Sequence, residues 1–372
     1  MEMILFDVKW HNMKKTNLLI IVLSIFFISS CIKEDFFGLS PYGNIKSIEV
    51  SNQAKQAVID NQTKTVEIEI PPGVDLNNIV LQELSLSSFA TADKSEGDPL
   101  PLSEPAPINI TAEDGSLHTW TIKGVVATSN PQLDNSDFNQ WYQMPSGYYE
   151  PGENAETTIW ATGNPGSYTL KIIAVTPLEM TDENRAVNMQ TMDNGPLAGM
   201  FGAPISAGSI FTGKFNTENI DPSNPAAAID FGTPFAGRPQ KFKLKYKYKP
   251  GPENKDKKGN VLPFDDSCDI YALLEVKSAG EIKRLATAWF RSSETKEEMT
   301  EMEAEFTYGP LDNSFPDYMK PKNHGFVDDG SQEFILPTHI TFVATSSFDG
   351  DNFAGAIGSE LIIDDLEFIY EK

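Results

Sequence analysis

The chain has 372 residues, with 29 Lys and Arg against 53 Asp and Glu, for a net charge of −24. That balance excludes nucleic acid as a partner, because phosphate recognition needs clustered Lys and Arg. With 23 Phe, 11 Tyr, 26 Gly and 25 Pro, it reads as an acidic, turn-rich globular protein with core enough for two or three domains.

At the N-terminus, Lys14 and Lys15 precede an apolar run over 18–28 that only Ser24 interrupts. Ser29, Ser30 and Cys31 follow. A basic start, a short apolar centre and small residues before a cut describe a secretory signal. The run is too short to cross a bilayer core of roughly 30 Å. The placing of Cys31 resembles a bacterial lipobox, which implies that residues 1–30 are removed and Cys31 carries the lipid. Met13-Lys14-Lys15 begins a normal signal, so 1–12 read as an upstream mis-start. Lys33-Glu34-Asp35 resembles the short signal that sends Bacteroidetes lipoproteins to the outer face of the outer membrane. Residues 31–42 are then a tether. The competing reading is a buried N-terminal helix with an incidental Cys.

Next come five short segments that read as strands, at 45–50, 64–70, 79–86, 107–110 and 118–125. Thr65 to Ile70 alternates polar and apolar residues, the mark of a half-buried strand. Pro71-Pro72-Gly73 ends it, and Glu113-Asp114-Gly115 supplies a turn before Trp120 and Ile122. The expected architecture for 43–128 is a small antiparallel sandwich of immunoglobulin type. It resembles the N-terminal modules of Bacteroidetes surface lipoproteins. Thr128-Ser129-Asn130-Pro131 marks its end.

From 131 to 372 the pattern stays all-β. Phe242, Leu244, Tyr246 and Tyr248 share one strand face, while Lys241, Lys243, Lys245, Lys247 and Lys249 share the other. The lysine face reads as an edge guarded against aggregation, or as a contact for anionic glycans. Segments 270–276, 285–290, 302–308, 339–345 and 360–371 continue the series. Only 295–302 carries a short turn or helix pattern. Many strands and few helices predict a two-sheet jelly roll. Cys268 opens an alternating stretch and reads as a core residue. With Cys31 lipidated it has no disulfide partner.

Seven segments of this region occur in an order that carries a family resemblance. They are Asp137-Phe138-Asn139-Gln140-Trp141, Trp160-Ala161-Thr162-Gly163-Asn164, Ala207 to Phe215, Ile229 to Phe235, Tyr246 to Pro250, Cys268-Asp269-Ile270-Tyr271 and Ile363-Asp364-Asp365-Leu366. Together they resemble the putative carbohydrate metabolism domain of Bacteroidetes lipoproteins over essentially all of 131–372. The resemblance implies a jelly roll akin to carbohydrate-binding modules. Many such domains hold a structural Ca²⁺ between the opening segment and the last strand, where Asp137, Asp364 and Asp365 stand here. Ca²⁺ takes six to eight oxygen ligands, and the competing reading is a turn or a solvated face. The acid-rich stretch from Phe348 to Asn352 is not an EF-hand, because Phe353 and Ala354 replace a ligand and the sharp-turn Gly.

No G-x-S-x-G, H-E-x-x-H, P-loop or dinucleotide glycine pattern occurs. Glycoside hydrolysis needs only two carboxylates, roughly 5–9.5 Å apart. Asp269 with Glu275, and Glu303 with Glu305, share strand faces, for which solvation is the plainer account. Sugar recognition instead asks for an aromatic floor with a few convergent polar groups. Tyr148, Tyr149 and Trp160 concentrate aromatics among Gly and Pro, whereas Phe138 and Trp141 read as core anchors. Asp269 and Tyr271 share a face and are further candidates, and Trp289 fits either face.

Three functions fit these observations. The first is a lipid-anchored, non-catalytic glycan-binding protein that takes polysaccharide or oligosaccharide beside other uptake proteins. The second is a glycoside hydrolase using a carboxylate pair. The third is a structural or adhesion protein of the surface without a small ligand. None calls for a cofactor in its chemistry.

Overall fold

The computed structural model describes residues 38–127, 130–220, 225–278 and 280–370. Cys31 and the expected signal and sorting segments lie outside the described residues.

Two separate cores organise the chain. The first joins Ile45, Ile48, Val66, Ile68, Leu81, Ile108, Trp120 and Ile122. Strand Ile45–Val50 pairs with Leu81–Leu86, and this pair faces a five-stranded sheet ordered Val58–Asp60, Thr65–Ile70, Leu117–Val126, Ala106–Thr111, Thr91–Ala92. The alternation in Thr65–Ile70 buries Val66, Ile68 and Ile70 completely. Trp120 is also fully buried and donates from Nε1 to the Gly43 carbonyl at 2.9 Å. The expectation of an all-antiparallel module needs one correction. Thr65–Ile70 runs parallel to Leu117–Val126, because the chain crosses to the facing pair and returns through the 106–126 hairpin.

The second core lies between two larger sheets, as a jelly roll requires. One is ordered Trp160–Thr162, Ser209–Phe215, His339–Thr345, Cys268–Ser278, Glu281–Ser292, Thr307–Tyr308. The other is ordered Val175–Glu179, Arg185–Gln190, Glu360–Ile369, Lys241–Lys249, Thr300–Glu305. Phe242, Leu244, Tyr246 and Tyr248 are buried and meet Ile270, Leu274, Phe342 and Ala344 of the first sheet. The entry to this domain is stitched to its last strand. Gln132 exchanges two hydrogen bonds of 2.7 Å with the Phe368 backbone, and the Tyr370 hydroxyl donates to the Pro131 carbonyl at 2.6 Å.

Two expectations change with the strand order. Lys241–Lys249 is an interior strand rather than an edge. Lys241 pairs with Glu303 at 2.5 Å, Lys243 with Glu367 at 2.9 Å and Lys245 with Asp365 at 2.7 Å. Acids from both flanking strands thus answer the lysine face, although exposed pairs of this kind stabilise little. Residues 295–302 do not form a helix, because Thr300–Glu305 is drawn into the sheet against the lysine strand. The chain then changes sheets at Phe306, so that Thr307–Tyr308 joins the other layer.

The two domains touch through Glu49, whose Oε2 lies 3.1 Å from His339 Nε2. Burial alone would raise the Glu49 carboxyl. His339, Lys277 and Lys214 outweigh it and hold that carboxyl below its ordinary range.

Phe242 is fully buried, with the Phe342 and Phe306 rings 5.9 and 6.3 Å away between centroids. Phe242→Ala is expected to destabilise the second domain by about 3–5 kcal/mol in chemical denaturation. A loss below about 1 kcal/mol would mean that the sheets do not close on this ring.

Candidate functional site

Because side chains alternate along a strand, the residues that close the core dictate what the opposite face presents. On Cys268–Ser278 the core takes Cys268, Ile270, Ala272 and Leu274, leaving Asp269 and Tyr271 outward. The register then aligns two rows across four strands. Phe211, Val343, Tyr271 and Trp289 form an apolar and aromatic row. Ser209, Thr345, Asp269 and Arg291 form a polar row beside it.

Cross-strand pairing puts Tyr271 flat on Trp289, with ring centroids 3.9 Å apart and 14° between planes. Tyr318 lies tilted beside Trp289, with ring centroids 5.5 Å apart. The phenol of Tyr271 is held well above its usual range by burial and by the neighbouring Asp351 and Asp269, so it stays a neutral hydroxyl. Trp289 Nε1 is buried without a hydrogen-bond partner in standard geometry.

In the polar row, Arg291 grips Asp269 with both arms of its fork. Nε donates to Oδ1 at 2.6 Å and Nη2 to Oδ2 at 2.5 Å, the bidentate geometry that arginine favours. The guanidinium lies 3.7 Å from the Tyr318 ring centre and 4.4 Å from that of Phe348, where the ring faces attract it. Burial raises the Asp269 carboxyl above its ordinary range, and the hydrogen bonds from Arg291 only partly offset this.

Loops convert the face into a cleft of about 550 Å³, the size of a small-molecule site. Its walls come from Gly166, Thr169 and Leu170, from Ala198 and Phe201 on the short helix Gly195–Met200 and its C-cap, and from Phe215, Phe231, Tyr318, Phe348 and Phe353. Lys322 and Asp351 stand in it as further charges. Asp351 keeps access to solvent within the cleft, while its surroundings and Asp349 push its carboxyl up against the opposing pull of Lys322 and Arg291. Asp269 and Asp351 are the two carboxylates among the described lining residues.

Asp269 and Tyr271 are therefore brought together here, joined by Trp289. Tyr148, Tyr149 and Trp160 do not form one surface. Trp160 is 2% exposed, wedged edge-on between Phe138 and Phe342, and its Nε1 donates to the Asp134 carbonyl at 2.8 Å. Tyr148 is buried against Tyr168, and Tyr149 alone is exposed. None of the three lines the cleft. Arg291, Phe211, Phe231, Tyr318, Phe348 and Asp351 join the site without having been singled out as sugar contacts. The alternation along 285–291 puts Trp289 and Arg291 on one strand face, but only the register with Cys268–Ser278 sets them beside Tyr271 and Asp269.

The carboxylates at the chain ends meet nitrogen donors. Asp137 accepts from Asn139 Nδ2 at 2.9 Å, Asp364 from Asn184 Nδ2 at 3.1 Å and Asp365 from Lys245. Among the described residues no group of three or more His, Cys, Asp or Glu gathers as a metal centre. Glu275 is buried against Arg284 at 3.4 Å, and Glu303 belongs to the lysine face. Cys268 is buried, and burial pushes its thiol up to about 12.

Residues 135–369 match the family model described as "Putative carbohydrate metabolism domain", and residues 45–123 match one described as "SGBP, N-terminal". A structure described as a putative glycoside hydrolase from Bacteroides thetaiotaomicron is similar at 24% identity and TM-score 0.54, over 90% of this chain and 99% of that one. A second, described likewise and from Bacteroides vulgatus, is similar at 25% identity and TM-score 0.50, over 63% of this chain and 97% of that one. No curated protein matches the chain.

Glu150, behind Tyr148, accepts from the Thr162 hydroxyl at 2.8 Å through Oε1, while Oε2 is buried without a partner. Burial pushes its carboxyl up to about 7 from 4.5. The folded state therefore keeps a proton that the unfolded chain releases, so stability falls as pH rises from about 4.5 to about 7. Glu150→Gln is expected to remove that fall, by roughly 3 kcal/mol at most, in denaturation curves taken across this range. Parallel pH profiles for both proteins would overturn the assignment.

Proposed function

The chain belongs to the putative carbohydrate metabolism domain family, and we propose that it is a surface-anchored protein that binds polysaccharide or oligosaccharide without cleaving it. The observation that carries this is the stacked Tyr271–Trp289 pair lining the cleft beside the Asp269–Arg291 fork. A pyranose presents an apolar C–H face, suited to a flat aromatic surface, and a rim of hydroxyls, suited to fixed donors and acceptors. Arg291, held by Asp269 and two rings, donates from a set position, so little side-chain entropy remains to be lost on binding.

A hydrolase reading has the descriptions of the two Bacteroides structures in its favour. It needs two carboxylates free to act as acid and as base or nucleophile. Here Asp269 is committed to Arg291, which leaves Asp351 as the carboxylate of the cleft without such a partner. The N-terminal match to the SGBP model supports a surface glycan-binding role. Anchoring through Cys31 follows from the lipobox resemblance, and partnership with other uptake proteins follows from the same setting.

Affinity gels and calorimetry over a panel of polysaccharides test the proposal. Trp289→Ala is expected to weaken the best ligand about tenfold or more, the size of a central aromatic contact, with no release of reducing sugar by the unaltered protein. Sugar release that Asp351→Asn abolishes would establish the hydrolase instead. Retardation by no polysaccharide at all would leave the adhesion reading.

A further inference from the structure

The cleft is not uniform along its length. The charges and the stacked rings, Asp269, Tyr271, Trp289, Arg291, Tyr318 and Lys322, gather over Cys268–Ser278 and Glu281–Ser292 and the loops beside them. Towards the opposite edge of the sheet, Ser209–Phe215 and Ile229–Phe231 contribute Phe211, Phe215, Ile229 and Phe231. At the ordinary spacing between strands the two ends stand about 14 Å apart.

The apolar end is built as a surface. Phe211 and Phe231 meet edge to face at 5.3 Å. Gly213, at φ +133°, lets the Ile229–Phe231 strand close up, since a Cβ there would sit 2.1 Å from the Asp230 carbonyl oxygen. Phe215, Ile229 and Phe231 stay partly exposed, and Leu170 and Ile220 beside them are 44% and 39% exposed.

A bare oligosaccharide gains less at that end than a molecule that also carries an apolar group. The Phe rings can take a C–H face, but Ser206, Ser209 and Asn194 are uncharged and few beside that carbon, and an uncompensated hydroxyl is costly to bury. A contiguous apolar surface inside a ligand cleft calls for an apolar ligand group.

We propose that the cleft takes an amphiphilic glycoconjugate, a sugar that carries an alkyl or acyl substituent. Resting on the glycan-binding reading, the assignment places the sugar on Tyr271 and Trp289 and the substituent across Val343 against Phe211, Phe215 and Phe231. The segregation of charge and carbon along one cleft selects for both halves in one molecule.

Methyl, hexyl and octyl β-D-glucopyranoside, each below its micelle concentration, are titrated into the full chain by calorimetry. Affinity is expected to rise about fourfold for each methylene between hexyl and octyl, the gain from burying one CH₂. Phe231→Ser and Phe215→Ser should flatten this dependence on chain length. Trp289→Ala should weaken all three glucosides while leaving the dependence intact. Equal affinity for methyl and octyl, binding of none of the three, or a slope that survives both Phe substitutions would overturn the proposal. In the first case the polysaccharide panel still decides the glycan reading independently. A slope with no response to Trp289→Ala would keep the apolar subsite and remove the sugar from the aromatic floor.

Discussion

The pleat of four adjacent strands is the constraint on which the rest depends. Residues on Ser209–Phe215, His339–Thr345, Cys268–Ser278 and Glu281–Ser292 have only two directions available. Ile210, Phe342, Ala344, Ile270, Ala272 and Ala288 go inward and join the lysine-bearing sheet through Phe242, Leu244, Tyr246 and Tyr248. Once they do, Phe211, Val343, Tyr271 and Trp289 have no choice but to line up outside. A slip of one residue in any of these pairings would exchange core for cleft, so the packing that stabilises the domain also specifies the face that lines the cleft.

On that face the Asp269–Arg291 pair shapes the chemistry. Asp269 is almost wholly buried, and a buried carboxylate carries a desolvation cost that only good geometry offsets. The two-armed bond and the rings of Tyr318 and Phe348 supply that geometry. The consequence is a guanidinium whose position is set by its neighbours and a carboxylate whose two oxygens both accept from it.

The alternation of residues 241–249 was legible as a strand because both of its faces are written in consecutive residues. Its interior position was not, since the acids that answer the lysines come from Thr300–Glu305 and Glu360–Ile369, far along the chain. Asp269 and Tyr271 could be paired by spacing alone. Their neighbours Trp289, Arg291 and Phe211 depend on register, which local pattern does not encode. Trp160 shows the opposite difficulty. Next to Gly163 and Asn164 it looks like a loop residue, yet its ring fills the gap between Phe138 and Phe342. Loop composition says where a chain turns, while burial is decided by what the turn lands on.

The strand His339–Thr345 begins at the contact with Glu49 and ends in the floor of the cleft at Val343 and Thr345. It is hydrogen-bonded on one side to Ser209–Phe215 and on the other to Cys268–Ser278. Opposed forces at the two ends of this strand would act along its own axis. Its ladder bonds would then share the force in shear instead of opening one after another like a zipper. The strand is thus a stiff link between the Glu49 contact and the floor of the cleft.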